Sequence, residues 1–159
     1  MSTRVSDSLS YRHLWSAPEL DRLFEERSRL QRWLDILAAL ARAQASLGII
    51  PAESARLIAE QADADRLDLR RIAAETQHTG HSTLGLIREL QRTMPSPARE
   101  QVYYGATVQD LTDTWFGVVL RDVGALVGDK LWALEGSLLD LAAMYRDYVI
   151  VFGSEWFRV

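Results

Sequence analysis

Cysteine is absent from the 159 residues, which removes a disulfide framework, a thiolate metal site and a cysteine nucleophile together. Lysine is almost absent: Lys130 is the only one, and seventeen of the eighteen basic residues are arginine. Those arginines are scattered among twenty-two acids, and the formal charge is −4. That balance argues against a surface built to neutralise phosphates, so nucleic acid is not an expected partner. No apolar run reaches the ~18 residues of a membrane span, and Met1 to Ser10 holds no apolar stretch of signal-peptide length. No membrane association is expected, and the expected compartment is cytoplasmic. Proline occurs four times, at 18, 51, 95 and 97, which leaves everything after Pro97 free to be helical.

What is present is helical periodicity. From Ser16 to Leu47, Leu20, Leu23, Phe24, Leu30, Leu34, Leu37, Leu40 and Ala41 recur at spacings of three and four, predicting one amphipathic helix. Ser16 and Glu19 pair as a capping box around Pro18, while Gly48 and Pro51 mark the stop. A shorter helix is predicted from Ala52 to about Ala62, another from Leu67 to Glu75, then a polar stretch from Thr76 to Gly80. A further helix from His81 or Ser82 to Thr93 should end before Pro95 and Pro97.

The segment from Thr107 to Tyr148 reads as one long helix, with Thr107 and Asp110 as its capping pair. At ~40 residues it would be roughly 60 Å long, whereas a compact chain of this size is roughly 40 Å across. Its apolar residues, from Leu111 and Trp115 through Leu131 and Trp132 to Met144, surround the helix instead of forming one stripe. A helix apolar on most sides must be buried on most sides, and the rest of the chain is too short to wrap it. Gly117, Gly124, Gly128 and Gly136 each weaken an isolated helix by up to about 1 kcal/mol. Packing must therefore hold it, and self-association into a helix bundle is the expected solution. The fold class is all-α, divided as 1–106, a helical N-terminal domain; 107–148, the start of a central bundle; and 149–159, an atypical tail rich in β-branched and aromatic residues.

Chemistry-bearing patterns are few. Glu75 and His78 have the Glu-x-x-His spacing of a di-iron bundle, but no second Glu-x-x-His exists to complete it, so no metal is expected. There is no Gly-x-Ser-x-Gly elbow, no Gly-x-Gly-x-x-Gly and no Walker pattern. Two polar junctions stand out: Thr79-Gly80-His81-Ser82 and Tyr104-Gly105-Ala106-Thr107-Val108-Gln109-Asp110. Each sets hydroxyl, imidazole or amide groups beside a helix start, where free N–H groups favour an anion such as a carboxylate. The competing reading is that Thr79 and Thr107 are only helix caps.

At these junctions the chain resembles the N-terminal part of the fumarase/aspartase superfamily, in the branch holding adenylosuccinate lyase and 3-carboxy-cis,cis-muconate cycloisomerase. The stretch from Phe24 to Asp35, Ala39 to Ala45 and Leu47 to Pro51 resembles that branch's opening helix. Thr79 to Ser82 is similar to its Thr-x-His-Asp pattern, and Gly105 to Thr114 to its Gly-x-Thr-Ser-x-Asp-x-x-Asp-Thr block. The resemblance implies a helical, tetrameric lyase that needs no cofactor and eliminates a group β to a carboxylate, typically releasing fumarate. It implies that His81 is catalytic, and that Thr79, Thr107 and Gln109 contact a small carboxylate substrate. Val108 replaces the branch's Ser, Ser82 its Asp, and Leu14-Trp15 stands where adenylosuccinate lyases carry Arg-Tyr. After Val151 the branch's second catalytic histidine does not follow. The expectation is an N-terminal piece, incomplete and inactive alone. Lactone chemistry of the cycloisomerase type and a non-catalytic oligomerisation module are the alternatives.

Overall fold

A computed structural model describes residues 7–15 and 17–146, all helix, turn or loop. Two compact units divide the chain between Leu120 and Arg121. In the first, α1 (Arg12–Trp15) and α2 (Pro18–Phe24) precede α3 (Glu26–Ser46) and α4 (Ala52–Gln61). A 3₁₀ turn (Ala64–Arg66) then leads to α5 (Leu69–Thr79), α6 (Leu84–Arg92) and α7 (Ala98–Gln101). The last helix, α8 (Val108–Met144), starts in the first unit and continues as the second.

The core of the first unit is laid down by α3. Leu30, Trp33, Leu34, Leu37, Ala38 and Ala41 are buried along one face, at the three- and four-residue intervals that a helix stripe requires. Ala55 and Ile58 of α4, Ile72 of α5, Leu86 and Leu90 of α6, and Leu111 of α8 close on it. Trp33 meets Trp115 of α8 edge to face, with centroids 6.2 Å apart and planes at 73°, the offset geometry that indole quadrupoles favour. The guanidinium of Arg29 lies 5.5 Å from the Trp33 ring centroid.

Polar side chains tie the loops to this stripe. The Gln31 side-chain oxygen accepts from the Ala64 N–H at 2.8 Å, and its NH2 donates to the Ala62 carbonyl at 3.0 Å and to Asp35 at 2.8 Å. One amide thereby fixes the turn between α4 and α5, and Arg27 pairs with Asp65 beside it. At the end of α3, Gly48 is left-handed (φ 70°). Its N–H donates to the Ala45 carbonyl, and that of Ile49 to the Gln44 carbonyl, the pairing of a Schellman stop. Asp68 caps α5 by accepting from the Arg70 and Arg71 N–H groups.

Several sequence expectations need correction. The helix expected from Ser16 to Leu47 is interrupted at Glu25, whose ψ of 144° is extended. No residue of α2 is buried, so nothing in the core holds Leu20, Leu23 and Phe24 in register with α3. Ser16 lies outside the described residues, and Ala17 occupies the cap position. Thr76 to Thr79, expected as loop, are the last turn of α5, which Gly80 ends in a left-handed cap. Helix α6 starts at Leu84, later than expected, and α7 was not foreseen. The tail 149–159 lies outside the described residues.

In the second unit the helix residues from Asp129 onward are exposed on all sides. Leu131, Leu134, Leu138, Leu139 and Met144 are exposed, and Trp132 reaches 73%. No helix among the described residues is long and apolar enough to cross a membrane.

Helices α5 and α6 approach closely at Gly85. A Cβ at Gly85 would lie 2.5 Å from the Ile72 carbonyl oxygen, whereas one at Gly117 would meet nothing within 4 Å. Gly85→Ala is expected to cost about 1–3 kcal/mol through overpacking, and Gly117→Ala to gain up to about 1 kcal/mol of helix propensity. Urea unfolding of the two variants checks the opposite signs.

Candidate functional site

The first junction is built by the end of α5 and the approach to α6. The Thr79 hydroxyl donates to the Glu75 carbonyl at 2.8 Å, closing the last turn of α5, and accepts from the His81 N–H at 3.3 Å. It therefore caps nothing in α6. That role falls to His81, whose Nδ1 accepts from the backbone N–H groups of Thr83 and Leu84 at 3.4 and 3.2 Å. A ring nitrogen that accepts carries no proton, so the neutral imidazole holds its proton on Nε2 and offers that N–H as a donor. His81 is half-buried and Ser82 exposed. Thr83, next in the chain, is fully buried with no partner for its hydroxyl among the described residues.

His78, paired with His81 in sequence, does not share its surroundings. It lines an open hollow with Arg71, Ala74, Glu75 and Arg92, and Glu75 is taken up by an ion pair with Arg88. Among the described residues no three potential metal ligands cluster.

The second junction is a reciprocal cap. Asp110 Oδ2 accepts from both the Thr107 N–H at 2.7 Å and the Thr107 hydroxyl at 2.8 Å, while Thr107 Oγ1 faces the Asp110 N–H at 3.4 Å. These bonds, the backbone one first, hold the Asp110 carboxyl below its ordinary range by stabilising the ionised form. Gln109 points along the helix instead, donating to Asp113 at 2.6 Å.

The loop that delivers this cap, 102–107, is held from behind. Tyr103 (φ 64°) and Gly105 (φ 69°) are left-handed, a conformation uncommon for an aromatic residue. The Gln44 NH2 on α3 donates to the Tyr104 carbonyl at 2.7 Å. Burial, and then the charge of Asp110, push the Tyr103 hydroxyl up, so it stays neutral. Sequence reasoning missed Gln44 and Tyr103, because nothing local pairs position 44 with a loop sixty residues on.

Thr79 and His81 are thus joined to each other, and Thr107 and Gln109 share the first turn of α8. Among the described residues no hydrogen bond links one junction to the other. Each junction has a donor left over, the His81 Nε2–H at the first and first-turn N–H groups of α8 at the second.

No family model matches the chain. Individual relatives do. Over 137 residues it is 36% identical to the adenylosuccinate lyase of Methanothermobacter thermautotrophicus, covering 86% of this chain and 30% of that protein. Over 147 residues it is 33% identical to the 3-carboxy-cis,cis-muconate cycloisomerase of Pseudomonas putida, covering 91% and 35%. The crystal structure of a fumarate lyase from Mesorhizobium sp. BNC1 superposes with a TM-score of 0.76 at 32% identity, over 81% of this chain and 30% of that one. The chain spans about three-tenths of the length of the curated relatives it matches.

Because Asp110 is acidified by the Thr107 bonds, they stabilise the first turn of α8 fully above the unfolded Asp range, about 3.9. The contribution is lost as pH falls through the lower, folded value. NMR titration of Asp110 should give a midpoint below the ordinary one, and Thr107→Val, which keeps the N–H but removes the hydroxyl, should move it part of the way back.

Proposed function

We propose, because the chain belongs to the fumarase/aspartase superfamily, that it forms the N-terminal part of an adenylosuccinate-lyase-like enzyme acting on a small carboxylate. The observation that carries this is the alignment with an adenylosuccinate lyase over 86% of the chain, which runs through both polar junctions. The domain reading goes with it: 1–106 as the helical N-terminal domain and 107 onward as the start of the central bundle.

In such a reaction a base takes the proton from the carbon beside a carboxylate, the electron pair forms the new double bond, and the leaving group departs with a proton. Negative charge grows on the carboxylate and must meet fixed donors. His81 suits the donor side. With Nδ1 committed to the α6 backbone, its Nε2–H can hold a carboxylate; to protonate a leaving atom the ring must first gain a proton on Nδ1, which, like service as the base, releases the helix cap. Thr79 keeps the imidazole in place through the His81 backbone. Thr107 and Gln109 present the start of α8 to the second end of the substrate. The base is expected from another part of the assembled enzyme, since general acid and base each contribute roughly 10²–10⁴ and His81 supplies only one of them.

Assembly is the second element of the proposal. The exposed apolar residues of α8, Leu131, Trp132, Leu138 and Leu139 among them, form a surface of the kind that helix bundles close, and a homotetramer is the state proposed for the whole enzyme. The cycloisomerase relative supports lactone chemistry at the same junctions about equally well. An oligomerisation module without chemistry predicts the same assembly.

Two measurements test this. Light scattering at micromolar concentration should give at least a dimer, and a stable monomer that binds no hydrophobic dye would reject the assembly. Fumarate titrated into the ¹⁵N-labelled chain should shift the His81 side chain and the amides at 107–110, without turnover of adenylosuccinate. His81→Ala should abolish the shifts at 107–110. Shifts elsewhere only, or turnover that survives His81→Ala, would overturn the site.

A further inference from the structure

We propose that His81 and Thr83 form a two-position cap at the start of α6, switched by protonation of the His81 ring: the neutral ring holds the present cap, and the imidazolium gives way to the Thr83 hydroxyl. The His81 Nδ1 accepts from the N–H groups two and three residues on, those of Thr83 and Leu84, which is the reach of an N-cap side chain. Thr83, immediately before the helix, is itself of a type that usually caps. It does not cap here. Its backbone is helical (φ −116°, ψ −15°) and its side chain makes no cap bond, whereas a capping residue is extended. The Thr83 hydroxyl is buried and has no partner among the described residues, a state that native proteins rarely leave without a reason.

Protonation removes the acceptor. An imidazolium donates from both nitrogens, so Nδ1 then meets two N–H groups with a hydrogen of its own and sets positive charge at the positive end of the helix. Thr83 is fully enclosed, so its released N–H cannot reach water where it stands, and a buried donor without a partner is costly. Unwinding the turn at 82–83 answers both problems. It brings the released N–H groups to solvent, and an extended Thr83 aims its hydroxyl at the N–H groups of Gly85 and Leu86, the second and third of the helix. The charged groups on the neighbouring elements are engaged elsewhere. Glu75 of α5 pairs with Arg88 of α6, Glu89 with Arg92, and Arg71 with Asp68, while His78 lines a separate hollow. Helix α7 meets α6 near its far end, where Gln91 donates to the Arg99 carbonyl. None of these carboxylates pairs with the His81 ring among the described residues, so none holds the charged ring in place.

The two caps are discrete arrangements of one short segment, the kind of element that a local charge change can bias. The Nε2–H keeps its present direction only while the neutral ring is the cap. The inference stands whether or not the lyase reading holds, since it rests on the α5–α6 connection alone.

The test uses the full chain, labelled with ¹³C and ¹⁵N, taken from about pH 8 to about pH 5, the window in which histidine changes charge. The Thr83 and Leu84 amides should move with the midpoint of the His81 ring, read from its own nitrogen shifts. They should lose roughly fivefold in exchange protection, after correction for the intrinsic rate, as the loss of a cap implies. The Thr83 Cα and Cβ shifts should pass from helical to extended values over the same range. His81→Asn supplies an oxygen that accepts but does not titrate, and should hold both amides in place throughout. Thr83→Val deletes the reserve cap and should spread the loss of protection in acid to Gly85 and Leu86, whereas His78→Asn should change nothing. Amides that ignore the His81 midpoint, the same transition in a folded His81→Asn chain, or protection at Gly85 and Leu86 that is indifferent to Thr83→Val would each overturn the proposal. If a variant fails to fold, the His81 midpoint and the Thr83 carbon shifts of the unaltered chain decide.

Discussion

The buried stripe of α3 is the constraint on which the first unit depends. Leu34 and Leu37 are almost wholly enclosed, and α4, α5, α6 and the start of α8 all contribute to the cluster around them. Deleting a side chain of this kind typically costs 2–5 kcal/mol, a large part of a domain's margin. The same helix also carries Gln31 and Gln44, which anchor one loop each. Core packing and site geometry therefore share one rigid element, which is how loop-borne functional groups are held without ordering costs at the moment of binding.

The two junctions solve the problem of unpaired N–H groups at a helix start in different ways. At α8 the solution is local: Thr107 and Asp110 are three residues apart and satisfy each other. At α6 a histidine two residues before the cap position does the work, and the usual capping hydroxyl, Thr79, is spent on the preceding helix. A carboxylate cap leaves an ionised group at the surface, whereas an imidazole cap leaves a directed N–H. The difference gives the junctions distinct chemical characters although both are helix starts.

Much of this was legible in the sequence, and the limits follow a physical line. The all-α class, the stop at Gly48 to Pro51, the helix from Ala52 and the reciprocal cap at Thr107 all rest on contacts between near neighbours, and the sequence encodes those directly. The break at Glu25 was hidden because Leu20, Leu23 and Phe24 keep the helical spacing without having a core to face. Thr76 to Thr79 looked like loop because their polarity suits an exposed last turn equally well. The family resemblance marked Thr79, His81, Thr107 and Gln109 as a set. The nitrogen that His81 commits, and the hold that Gln44 keeps on the loop before α8, arise only once distant segments meet.

The Gln31 clamp has a consequence for how the chain opens. The turn at 62–64 sits between α4 and α5 in sequence, yet its amide and carbonyl are bonded to Gln31 in the second turn of α3. Its protection from hydrogen exchange should then follow the opening of α3, not the fraying of the two helices that flank it. A surface turn would exchange with the slowest-opening part of the unit, and the helix ends beside it would exchange first.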